Sequence, residues 1–142
     1  MRFISQPLPG TPLDFAHPLC NGLVGYWPLW EGGGSIAHDI SPSGNDGTLT
    51  AVSQGPTSGW RGGRYGGSAV IFDGVNDYIN IGDPADNSLA FGTGSCSFGA
   101  YFKSRSSAAG KFIINKRNSA ATAGWDLLYN GFVGRIHDGT NA

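Results

Sequence analysis

Apolar and polar positions alternate with a two-residue period in short runs along most of this chain. The runs are Leu23–Trp30, Gly47–Thr50, Ser68–Phe72, Tyr78–Ile81, Cys96–Lys103, Lys111–Asn115, Trp125–Tyr129 and Phe132–His137. Successive side chains of a strand point to opposite faces, so this pattern predicts half-buried strands. The separators are rich in Gly, Asn, Asp, Ser and Pro, the residues that bound strands with tight turns. A 3.6-residue apolar period never persists for about ten residues, and the alanine-containing pieces SSAAG (106–110) and NSAATAG (118–124) are too short to hold a helix alone. The prediction is an all-β chain of antiparallel sheets, a sandwich or a barrel.

Residues 1–21 break the pattern. Pro7, Pro9, Pro12 and Pro18 fix φ and push their predecessors into extended backbone. This stretch reads as an extended, proline-rich arm, with Phe3, Leu8, Leu13 and Phe15 apolar enough to lie against another chain. Residues 22–142 read as the sandwich domain. Gly32–Gly34 looks at first like a phosphate cradle, but such a loop needs a helix N-terminus after it. Here SIAHDISPSG follows, with Pro42 inside it, so the glycines read as a turn.

The totals refine this picture. A chain of 142 residues with 39% apolar content suits one domain with one core, and its 24 glycines and 12% aromatic content favour strands and turns over helices. The net charge of −1 gives no global signal for nucleic acid or a membrane surface. The distribution is uneven: Lys103, Arg105, Lys111, Lys116 and Arg117 are five of the nine basic residues, and no acidic residue falls between Asp86 and Asp126. Basic residues of this kind blunt strand edges, or form a patch that meets an anionic surface. Cys96 alternates with Phe98 and Phe102, which favours a buried free thiol over a bridge to Cys20. No apolar run approaches the ~18 residues of a membrane span, and the prolines interrupt any signal-peptide core.

Taken together, several separated motifs resemble the concanavalin A-like, laminin-G-like jelly-roll family. They are GLVGYWPLWEGGG (22–34), Asp39 with SGNDGTLT (43–50), Trp60 with GRYGGSAVIFDGVNDYINIGD (63–83), SCSFGAYFK (95–103) and GWDLLYN (124–130). The resemblance covers about residues 22–138. It implies two packed antiparallel sheets, one concave, with recognition of sugar or protein, often with calcium and usually without catalysis. It also implies strands beyond residue 142. Either the chain is the N-terminal part of a longer one, or neighbouring chains supply strands, or the jelly roll is reduced.

Within this frame Trp27 and Leu29 match positions that the family buries. Tyr26 and Trp30 fall on the opposite face and are the candidate stacking surface for a sugar. Asp39, Asp73 and Asp77 are the candidate calcium ligands, with Asn45, Asp46, Asn76 and Asp83 nearby in sequence, because calcium takes six to eight oxygens. Asp and Asn also serve turns directly, by bonding their own backbone.

Catalytic signals are absent. Glu31 is the only glutamate, no predicted strand carries two carboxylates, His17, His38 and His137 are isolated, and no G-x-S-x-G elbow occurs. The expectation is a non-catalytic structural or adhesion protein. It is a decoration or structural component of a virion such as a phage particle, or otherwise extracellular, whose partners are other protein chains. The alternative is a lectin-like module for cell-surface glycans, with calcium as an optional ion.

Overall fold

The computed structural model describes residues 10–63, 67–92, 94–104, 111–117, 123–128 and 133–138. Among these, the chain is all-β, with no α-helix. Eight strands are present: β1 (Ile36–Ala37), β2 (Gly47–Thr50), β3 (Gly59–Gly62), β4 (Ser68–Ile71), β5 (Tyr78–Asn80), β6 (Phe112–Arg117), β7 (Ala123–Leu128) and β8 (Val133–Asp138). All pairings are antiparallel. No helix among the described residues is long and apolar enough to cross a membrane. The chain divides into two compact units, Met1–Asp86 and Asn87–Ala142.

The first unit holds a three-stranded sheet in the order β1-β2-β5 and a β3-β4 hairpin. Alternation works as the sequence predicts: Gly47 and Leu49 are buried in β2, while Thr48 is exposed. Both sheets contribute to one core. Ala37 and Leu49 come from the first sheet and Trp60 from the second, with Trp27, Leu29, Val52, Val70 and Ile79 packed around them. Gly47 sits where Ile79 closes over it, leaving no room for a larger residue. The turn before β1 uses Gly32 (φ 72°) and Gly34 (φ 78°), a backbone region that side chains disfavour. The Gly34 carbonyl accepts a 2.8 Å hydrogen bond from Trp60 Nε1, so the glycine turn is tied to β3.

The second unit is a meander, β6-β7-β8. A bulge between Phe112 and Ile114 shifts the β6-β7 register. Trp125 stacks on Phe98 with centroids 4.6 Å apart, and Phe91 packs beside both. Trp125 Nε1 donates to the Leu89 carbonyl at 2.8 Å. Asp126 is fully buried on the other face of β7, at register with Asn115 of β6 and Arg135 of β8.

Six predicted strand runs coincide with β2 and β4 to β8, and two do not form ladders. In Leu23–Trp30, Pro28 lacks an N–H and Leu29 takes φ 54°, which breaks regular pairing. Cys96–Lys103 carries no ladder either, although Cys96 and Phe98 are turned inward and Ser97 and Gly99 outward. The described part of the N-terminal segment is not simply extended. Asp14 Oδ1 accepts from Ala16 N, His17 Nδ1 accepts from Leu19 N, and Pro18–Cys20 forms one 3₁₀ turn. Proline at the first position of that turn is pre-set in φ and gives up no needed donor. Phe15 is exposed and Leu13 half-buried, while Phe3 and Leu8 lie outside the described residues. Cys20 and Cys96 are free, half-buried thiols.

Candidate functional site

The densest polar arrangement lies in the first unit, where residues 24–31 meet the loop HDISPSGND (38–46). Asp39 organises it. Its carboxylate is buried and accepts four hydrogen bonds. Oδ1 takes the amides of Tyr26 (2.8 Å) and Ser41 (2.9 Å), and Oδ2 takes the Ser41 hydroxyl (2.9 Å) and the Asn45 amide (2.8 Å). The D-x-S step at 39–41 is an Asx turn, the local bond that aspartate makes two residues on. Pro42 then occupies the second position of a β-turn closed by Gly44 N to Ser41 O at 3.3 Å.

Asp39 also takes over part of a missing ladder. Tyr26 O accepts from Ile40 N at 3.0 Å, as in an antiparallel pair, but Tyr26 N finds the Asp39 carboxylate. A side chain thus supplies the acceptor that a strand carbonyl otherwise would. Trp27 Nε1 donates to the Asn45 carbonyl at 2.8 Å, which pins the same loop from the core side.

Asp46 closes the loop from the other end. Oδ1 accepts from Asp39 N at 2.9 Å, and Oδ2 lies 3.0 Å from His38 Nδ1. The Asp39 amide holds the Asp46 carboxyl below its ordinary value; burial opposes this and the His38 ring assists it. His38 and Asp46 are both about half exposed, so their pairing contributes little to stability. Glu31 Oε1 accepts from His38 N at 2.7 Å, while Glu31 Oε2 is enclosed without a hydrogen-bond partner.

The structure brings Tyr26 and Asp39 together through backbone and carboxylate. Tyr26 is 38% exposed. Trp30 is half-buried, and the two rings make no stacking contact among the described residues. Asp73 and Asp77 meet each other in the turn between β4 and β5. Asp73 N donates to Asp77 Oδ2 at 2.9 Å and Val75 N to Asp73 Oδ1 at 2.7 Å, while Asp77 Oδ1 is enclosed without a partner.

For calcium, Asp39 fits poorly: both oxygens already face N–H or O–H donors, which a cation would have to displace. Among the described residues, no group of three or more His, Cys, Asp or Glu side chains is disposed to hold a metal ion. His38 is paired with Asp46, but the Ser41 hydroxyl donates to Asp39 and not to His38, so these residues do not form the Ser–His–Asp relay of a hydrolytic triad.

Glu31, His38 and Ser41 escaped the sequence reading. The D-x-S spacing at 39–41 is a local signal for an Asx turn that could have pointed to Ser41, but nothing local links Glu31 to the amide of residue 38. No family model, curated protein or solved structure matches the chain.

Proposed function

We propose that this chain is a non-catalytic structural β-sandwich, a concanavalin A-like jelly roll that acts by contact with other protein chains, as a decoration or structural component of an assembly such as a virion. One observation carries the reading: among the described residues five hydrophobic side chains are buried, while ten large ones are exposed. Exposed apolar side chains in such excess mark contact surfaces. Phe15 and Leu19 belong to the N-terminal segment, where a partner chain would cover them. The sheets are short, and edge strands β1, β5, β6 and β8 each pair on one side only among the described residues. Such edges accept strands from a neighbour. In this reading the carboxylates of the 38–46 loop are structural, serving backbone amides, the Ser41 hydroxyl and the His38 ring.

The test is sedimentation of a source-cell lysate, followed by hydroxyl-radical footprinting. The chain should travel with a high-mass particle, and Phe15, Leu19 and Tyr101 should be oxidised less there than in the isolated chain. A free 14.8 kDa monomer with those side chains equally reactive in both fractions would refute the reading.

Tyr26 favours a second reading, a glycan-binding module. Its backbone is held on both sides, by Asp39 and Ile40, while the residue stays 38% exposed. Glycan-array binding by the wild type that is lost in Tyr26→Ala supports this; no binding with or without calcium removes it.

A further inference from the structure

The two units carry opposite charge. Met1–Asp86 contains three arginines and eight carboxylates, a net of −5, whereas Asn87–Ala142 contains six lysines and arginines and two aspartates, a net of +4. Together they make the −1 of the whole chain, which conceals the polarity.

Each unit also exposes apolar side chains beside its dominant charge. In the first, the β4-β5 turn presents Asp73 with Phe72, Tyr78 and Val75, the last 84% exposed, and Asp83 and Asp86 are exposed after β5. In the second, Tyr101 (82% exposed), Phe102 and Lys103 follow one another on the surface, and Lys111 and Phe112 are exposed at the start of β6. A charged run alone is ordinarily a solvated face. Aromatic side chains at this exposure add the apolar component that an interface core requires.

We propose that a second copy of this chain is the partner, with the basic, aromatic surface of one Asn87–Ala142 unit docking on the acidic, apolar surface of another copy's Met1–Asp86 unit. Like units repel and unlike units attract, so the charges set which surfaces meet and speed the encounter. The contact either closes reciprocally as a dimer or propagates from copy to copy. This rests on the reading of the chain as an assembly component and names its partner.

The experiment is sedimentation velocity of the whole chain as NaCl rises from about 50 to about 500 mM, which shortens the Debye length roughly threefold. Self-association should weaken at least about tenfold across that range. The double variants Lys103→Glu with Lys111→Glu, and Asp83→Lys with Asp86→Lys, should each associate about tenfold more weakly alone. An equimolar mixture of the two should recover wild-type association, which misfolded variants would not do. Association that ignores salt, or a mixture without recovery, overturns the inference and leaves the assembly reading standing. A chain that is monomeric at every salt also overturns it; if that monomer binds inorganic polyphosphate at low salt, the basic surface is a polyanion site instead. Absence from any particle in the lysate experiment is the separate result that removes the assembly reading.

Discussion

Replacing Asp39 with alanine removes the acceptor for four donors at once: the amides of Tyr26, Ser41 and Asn45 and the Ser41 hydroxyl. A hydrogen bond to a charged acceptor contributes about 1.5–3 kcal/mol when measured singly. The four share one carboxylate and are not additive. Exposed neighbours such as Pro42 and Gly44 also let water reach part of the cavity. At about 1 kcal/mol per stranded donor, the loss is roughly 4 kcal/mol, a large share of the 5–15 kcal/mol of an ordinary domain. For a unit of this size, thermal denaturation should shift down by about 15 °C or more. Asp39→Asn is the finer probe. It keeps one oxygen for Tyr26 and Ser41 but turns an amide group toward Asn45 N–H, so about half the loss is expected. Amide hydrogen exchange of that variant should accelerate first at Asn45, where the acceptor is gone. An Asp39→Ala protein within about 0.5 kcal/mol of wild type, the usual range for neutral surface changes, would refute the claim that this carboxylate holds residues 24–46 together.

Two further outcomes follow from the same loop and from the β4-β5 turn. The Asp46 carboxyl titrates below its ordinary value of 3.8, mainly because of the Asp39 amide, so its stabilisation is complete above that pH and is lost as pH falls through the lower, folded-state value. Asp46→Asn should therefore melt below wild type at neutral pH, and the gap between the two melting temperatures should narrow as pH falls below 3.8; a gap that persists unchanged in acid would show that the charge is not responsible. Because Asp39 is saturated by protein donors, chelation with EDTA or addition of millimolar calcium should leave the melting temperature within about 1 °C. A rise of several degrees with calcium would reveal a site that stabilises the fold by mass action, with the Asp73–Asp77 turn the first place to look.

The all-β character was legible from the sequence because alternation is a local property. In GTLT (47–50) the buried and exposed positions follow directly from the two-residue period, and the same reasoning reached β4 to β8. The glycine run before β1 was legible as a turn because Pro42 and the polar residues after it exclude a helix. What sequence could not show were features that depend on partners distant along the chain. Strand β3 (GWRG) has one apolar side chain between glycines and becomes a strand only because β4 pairs with it. Leu23–Trp30 carries a strand pattern yet forms no ladder, since Leu29 adopts a left-handed backbone and the Tyr26 amide is met by Asp39 from thirteen residues away. Asp39 reads as a turn residue or a calcium ligand until the loop is closed; then its four donors show that it is a structural acceptor. The periodicity of side chains is written residue by residue, whereas the satisfaction of a buried amide or carboxylate is decided only when the folded chain brings its counterpart within 3 Å.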